Sequence, residues 1–174
     1  MSTNDFLIKN ISLPNGEIVN IGIKGDVITS ISKESEAKAA TTIDGTGCIA
    51  LPGLVDLHTH LREPGREDAE TVLSGSHAGV KGGFTAVSAM ANTSPVADTA
   101  GVVEQVYRLG QEAGLLDVFP IGAVTQGLKG ESLSEIGAMA DSVARVRVFS
   151  DDGNCVSDPL VMRRALEYIK KFDG

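Results

Sequence analysis

Basic residues are scarce in this chain. Fifteen Lys and Arg face 23 Asp and Glu, a formal net charge of −8. That balance excludes a general nucleic-acid binder and a protein held on an anionic membrane, because both need a basic surface. No apolar run approaches the roughly 20 residues needed to cross a bilayer. Residues Met1 to Lys9 have no basic region leading into a long apolar core, so no secretory signal is expected and the cytoplasm is the default compartment. Cysteine is nearly absent. Cys48 and Cys155 make no disulfide framework, and in a cytoplasmic chain both are expected as free thiols. Cys155 stands near acidic residues with no histidine beside it, which is not the setting of an activated thiol. Low-complexity segments and sequence repeats are missing too.

What remains is ordinary globular material, 42% hydrophobic and 22% charged. Its pattern changes partway along. "FLIKNISL", "EIVNIGI" and "VITSIS" are β-branched, partly alternating runs separated by the turns Pro14-Asn15-Gly16 and Lys24-Gly25-Asp26. "ESEAKAA" reads as a loop or short helix, and "TTIDGTGCIALPG" adds two more strand-like pieces. Residues 1–50 are therefore expected to form a small antiparallel β module.

Beyond Pro52, strands and helices alternate. "LVDLHTH", "FTAVSAMAN", "DVFPIGAVT" and "VARVRVFS" read as strands. Helical spacing comes after each of them. "EDAETVLSGSHAGVKGG" stops at Gly82-Gly83, and "TAGVVEQVYRLGQEAG" is capped by Asp98 and closed by Gly114. "SLSEIGAMADS" has Ser132 and Glu135 in capping-box spacing, and "DPLVMRRALEYIKKF" has Asp158 at the cap with Pro159 in the first turn. Alternating strands and helices imply a parallel sheet with right-handed crossovers. Four such units are half of what a (β/α)8 barrel of about 250 residues contains.

Alternate side chains of a strand share a face, so His58 and His60 point the same way, and Arg62 joins them if the extended chain continues. Two imidazoles converging on one point can grip a divalent metal, zinc being favoured by nitrogen donors; the plain alternative is a pair of exposed histidines at a strand end. The second strand ends near Asn92, and the fourth ends at Asp151 and Asp152. A carboxylate there could bridge two metal ions, or simply cap a turn. Arg62 could hold a substrate carboxylate through its fork of donors, or pair with Glu63 or Glu67. Asn92 could donate to a substrate carboxylate, or serve as a turn former. His77, in the middle of a helix, reads as packing or surface.

Taken together these motifs resemble a known family. "LPGLVDLHTHLREPG" is similar to the metal-binding signature of the cyclic amidohydrolases, specifically dihydroorotases of the type without a carboxylated lysine. "AMANTSPVADT" resembles that family's substrate-binding asparagine segment, and "FSDDG" its bridging-aspartate segment. "CVSDPLVMRRALEY" resembles the next segment of actinobacterial members. The resemblance runs the length of the chain and implies two zinc ions in a complete site. It also implies reversible cyclisation of N-carbamoyl-L-aspartate to L-dihydroorotate in pyrimidine synthesis. His58 and His60 match ligands of the first zinc, and Asp152, in preference to Asp151, the ligand shared by both. Arg62 and Asn92 match positions that hold the substrate's α-carboxylate, with His60 beside them on the substrate side. The fold implied is the N-terminal part of a TIM barrel, residues 51–174, preceded by a β-sandwich-like module.

One departure is large. The family pattern also needs two later histidines and a later aspartate as general acid and base, and nothing in these 174 residues matches them. The chain alone is expected to be inactive and to bind at most one zinc weakly. Hydantoinases, dihydropyrimidinases and allantoinases share the HxH opening but use a carboxylated lysine, and the fourth strand here has none. Other readings are a non-catalytic dihydroorotase-like subunit that scaffolds a partner such as aspartate transcarbamoylase, and a half-barrel completed by a second copy. A homo-oligomer is expected.

Overall fold

The computed structural model describes residues 4–34 and 38–174. The chain divides into two units, Met1–Pro52 and Gly53–Gly174.

The first unit is one four-stranded sheet built from β1 (Asn4–Ser12), β2 (Ile18–Lys24), β3 (Val27–Ser32) and β4 (Ala39–Asp44), in the order β3-β2-β1-β4. Its core is Ile11, Val19 and Ile21, with Ile8, Leu13, Ile23 and Ala50 packed against them. Ile8 and Ile11 are three residues apart and would face opposite sides of a regular strand. An irregularity in the β1–β2 register between them, with Asn10 at φ 58°, brings both onto the apolar face opposite Ile21 and Val19. The expected antiparallel module is corrected in one respect. β1–β2 and β2–β3 are antiparallel, but β4 runs parallel to β1. Strand propensity carries no information about direction, and here the chain returns to the free edge of β1 instead of turning back beside β3. Among the described residues this unit has a single sheet. The loop or short helix expected at "ESEAKAA" falls partly on residues 35–37, outside those described; its last two alanines begin β4.

The second unit alternates strand and helix: β5 (Leu54–Thr59), α1 (Val72–Lys81), β6 (Phe84–Ala89), α2 (Ala100–Ala113), β7 (Asp117–Pro120), α3 (Ile136–Asp141) and α4 (Pro159–Ile169). β5, β6 and β7 form a parallel sheet in that order. Leu61, Val72, Val87, Ala89, Val106, Leu116 and Val118 close the space between sheet and helices. α2 presents Val103, Val106 and Gly110 inward, a helical stripe. Gly110 is required by closeness, since a Cβ there would lie 2.5 Å from that of Val118.

Helix ends follow local chemistry, not always as the sequence suggested. α1 starts with a capping box, Thr71 accepting from the Ser74 N–H while the Ser74 hydroxyl accepts from that of Thr71. α4 is capped by Asp158, which accepts from Leu160 and Val161, with Pro159 in the first turn. α2 is entered from Thr99, not Asp98. The Asp98 carboxylate instead accepts the Gly127 N–H at 2.8 Å, tying down the loop after β7. The Ser132–Glu135 capping box does not form. Glu135 is the residue before α3 with no side-chain cap, and the Ser132 hydroxyl donates to Gln126.

The fourth strand is the main correction. "VARVRVFS" alternates like a strand, yet only one bridge, Gly122 to Phe149, joins it to the chain beyond β7. Its first half is committed elsewhere. Arg145 and Val146 donate their N–H groups back to Ser142 and Met139, and the Arg147 guanidinium caps the carbonyls of Ala140 and Val146. The segment wraps the end of α3, and only Val148 to Ser150 reach the sheet, through Gly122. Among the described residues no helix is long and apolar enough to cross a membrane.

Candidate metal centre

Four chain segments end side by side. The Met90 N–H donates to the Thr59 carbonyl at 2.9 Å, that of Ile121 to Ala89 at 2.8 Å, and that of Gly122 to Val148 at 3.1 Å. These bonds align the carboxyl ends of β5 and β6, the continuation of β7 and the 148–150 segment. His58, His60, Asn92 and Asp152 all lie at or just past such ends.

Leu61 is buried in the core between sheet and helices. His58 and His60 instead turn their rings to one another, with centroids 5.1 Å apart. His58 Nε2 lies 3.0 Å from Asp152 Oδ1, and His60 Nε2 lies 3.8 Å from Asp152 Oδ2. One donor atom from each of the three residues falls within 4.8 Å of the others, an arrangement that could hold a metal ion. The Asp152 side chain is 16% exposed, that of His60 30% and that of His58 57%. The cluster is thus anchored on its aspartate side and open to solvent on its His58 side.

Asn92 joins the two halves. Its Oδ1 lies 2.9 Å from His60 Nδ1 and its amide donates to Asp152 Oδ2 at 3.0 Å. If Nδ1 carries the proton, it donates to Asn92 and leaves Nε2 as the lone-pair nitrogen facing Asp152, the arrangement a metal-binding histidine requires.

Arg62 does not continue the strand. β5 ends at Thr59, and Arg62 takes a left-handed turn at φ 60°, so alternation does not place it beside the histidines. It is exposed, and no carboxylate lies within ion-pair distance of it among the described residues. Both acids considered as its partners are used otherwise. Glu63 accepts the Val72 N–H at the start of α1, and Glu67 accepts the Gly65 N–H. That Gly65 bond, with a smaller contribution from Glu67's own N–H, holds the Glu67 carboxyl below its usual range.

Adjacent Asp151 and Asp152 diverge. Asp152 turns to the histidines. Asp151 is 4% exposed and accepts from the N–H groups of Val124 and Thr125 and from the Thr125 hydroxyl. Sequence reasoning did not foresee the part played by Asp151, Thr125 and Ser150, nor the bonds of Asn92 to His60 and Asp152. The signal available was the doubled aspartate itself, since two successive side chains at a strand end cannot both point at one ion. His77 is exposed on α1, and both cysteines are exposed and free.

A family model described as "Dihydro-orotase-like" matches residues 47–171. Among curated relatives, the dihydroorotase of Leifsonia xyli subsp. xyli is 63% identical over all 174 residues of this chain, which cover 40% of that protein. The dihydroorotase of Streptomyces coelicolor is 59% identical over 97% of this chain and 39% of its own length. The chain thus spans about 40% of the length of these relatives. Among solved structures, an L-hydantoinase (dihydropyrimidinase) from Arthrobacter aurescens superposes with a TM-score of 0.78 at 21% identity, over 98% of this chain and 39% of its own. An adenine deaminase superposes with a TM-score of 0.69 at 20% identity, over 97% and 49%. At such identities these two likenesses speak to fold alone.

Proposed function

The chain belongs to the dihydroorotase-like family, and from that membership we propose that it builds the first half of a (β/α)8 amidohydrolase site interconverting N-carbamoyl-L-aspartate and L-dihydroorotate. The observation that carries the reading is the convergence of His58, His60 and Asp152, with donor atoms within 4.8 Å of one another at the ends of neighbouring segments. The parallel β5-β6-β7 sheet with its helical crossovers supports the half-barrel, and the β1–β4 sheet is the candidate for one layer of the sandwich-like module.

Two imidazoles and a carboxylate suit zinc, and we assign His58, His60 and Asp152 to hold it, with Asp152 the ligand shared between two zincs in a complete site. When bound, zinc lowers the pKa of water and polarises a carbonyl, which is the chemistry that opening a cyclic amide needs. The chain's own residues do the rest. Asn92 orients the His60 ring through Nδ1. An amide nitrogen has two hydrogens, so Asn92 keeps one for a substrate carboxylate while the other serves Asp152. Arg62, free of carboxylate partners among the described residues, supplies a planar fork for the same carboxylate. None of the described residues is assigned the general acid–base role.

The test is a substrate comparison with the zinc-loaded full-length gene product that carries this segment. Turnover of dihydroorotate, none of hydantoin or allantoin, and loss of that turnover in His58→Ala are expected. Turnover of hydantoin or allantoin in place of dihydroorotate would move the protein to a different branch of the cyclic amidohydrolases.

A further inference from the structure

We propose that Asp151 is a positioning residue, a buried carboxylate that fixes the turn presenting Asp152 to His58 and His60 and couples that turn to the loop after β7. Its bearing on metal affinity rests on the metal-site reading above; its bearing on backbone order does not.

The turn needs an explanation. Asp152 is a non-glycine residue at φ 52°, in the sparsely occupied left-handed region. It comes after a segment joined to the sheet by a single bridge, so no run of ladder hydrogen bonds holds it there. Three local bonds do part of the work. The Ser150 N–H donates to the Gly122 carbonyl at 2.9 Å, the Asp152 N–H donates to the Ser150 hydroxyl at 2.9 Å, and the Asn154 N–H donates to the Asp151 carbonyl at 3.0 Å. All three tie the main chain locally or to Gly122, and none reaches the 124–130 segment.

The Asp151 side chain provides that connection. Oδ1 accepts the N–H of Val124 at 2.7 Å and of Thr125 at 3.0 Å, and Oδ2 accepts the Thr125 hydroxyl. The Thr125 oxygen in turn accepts the Gly130 N–H at 2.9 Å. Asp151, Thr125 and Gly130 thus form one chain of hydrogen bonds, with Asp151 and Thr125 buried. With Asp151 anchored on the 124–125 backbone and the chain entering a left-handed turn at Asp152, the Asp152 carboxylate faces His58 and His60. Buried backbone N–H groups need acceptors, so the same carboxylate satisfies donors that would otherwise be stranded.

The chemistry sets how each variant should behave. In Asp151→Asn one oxygen still accepts both backbone N–H groups, but an NH2 replaces the acceptor of the Thr125 hydroxyl. The link to Gly130 is weakened while shape and volume are kept. Thr125→Val removes the hydroxyl and breaks the same link from the other side, whereas Thr125→Ser keeps it.

The experiment measures two quantities in the full chain and these three variants, with His58→Ala as the control for cobalt binding. Amide hydrogen exchange of the metal-free protein is expected to rise at Gly130, Asp152 and Asn154 in Asp151→Asn and Thr125→Val, with helices 72–81 and 100–113 unchanged. Cobalt(II) titration followed by its visible absorption is expected to show affinity reduced about 10- to 100-fold in those two variants, as for other outer-sphere partners of metal ligands. Thr125→Ser is expected to leave both readouts at wild-type values. Wild-type exchange at Gly130, Asp152 and Asn154 in Asp151→Asn would overturn the proposal, as would cobalt affinity equal to wild type in a protein whose affinity His58→Ala abolishes. If the wild type takes up no cobalt, the metal-site reading fails, and exchange alone still decides whether Asp151 orders the turn.

Discussion

The two sides of the candidate site are held in different ways. His58 lies in β5 and His60 just past its end, on a strand that pairs in parallel with β6 through a register shift between Asp56 and Thr59, and the two residues, two apart, turn their rings to one another. Asp152 sits just past a segment with one bridge to the sheet, in a left-handed turn secured by Ser150 and by the buried Asp151 carboxylate. The histidine side is positioned by the pairing of β5 with β6 and is open to solvent at His58. The aspartate side is positioned by buried polar bonds and is largely enclosed. A ligand carried by a strand paired along its length with a neighbour does not depend on any one bond, whereas one carried by a turn with a single bridge depends on each hydrogen bond that shapes the turn.

Removing ligands should have the largest effect and should not distinguish the sides. His58→Ala, His60→Ala and Asp152→Ala are each expected to weaken zinc binding by more than the roughly 100-fold upper limit typical of outer-sphere changes, measured by competition with a chromogenic chelator. Next comes the residue that spans both sides. Asn92→Leu strands His60 Nδ1 and removes a donor to Asp152, and is expected to lower zinc affinity about 10- to 100-fold in the same assay. A change in the scaffold should separate stability from the site. Gly110→Val places side-chain atoms where Val118 already lies, and overpacking of this kind costs about 1–3 kcal/mol. It is expected to lower the thermal midpoint by about 2–12 °C for a chain of this size while zinc affinity stays at wild type. The smallest effect belongs to the exposed turn after β5. The Glu67 carboxyl is held below its ordinary value of 4.5 by the Gly65 N–H. A depressed carboxyl adds stability that is present above that value and lost as pH falls through the lower, folded one. Glu67→Gln should therefore flatten only the acid end of a stability–pH curve, below about pH 4.5, and leave neutral pH unchanged.

How much of this was legible in the sequence depends on what fixes each feature. The histidine pair was legible because period-2 alternation is a local property of "LVDLHTH". Asn92 was legible as a residue just past a strand end, and Asp158 with Pro159 as a helix start, for the same local reason. The choice between Asp151 and Asp152 was not settled by spacing, because it turns on whether the 124–125 backbone lies close enough to take one of them. "VARVRVFS" reads as a strand by alternation, but Arg145, Val146 and Arg147 find closer partners in the end of α3. Asp98 is a good cap by type and serves Gly127 instead. The direction of β4 depends on a connection that propensity does not encode. Periodicity and capping chemistry travel with the sequence, whereas partners brought close by the fold do not.

The central claim is that the more open His58–His60 side and the more enclosed Asp152 side together make one metal site. Zinc bound at equilibrium dialysis against a fixed free-zinc concentration, measured on the full chain and on Asp152→Ala with both shown folded by circular dichroism, tests it most directly. Zinc bound by the wild type and lost by Asp152→Ala is the predicted result. Equal zinc in both proteins would show that the histidines bind without the aspartate, or that the metal lies elsewhere, and would contradict the account.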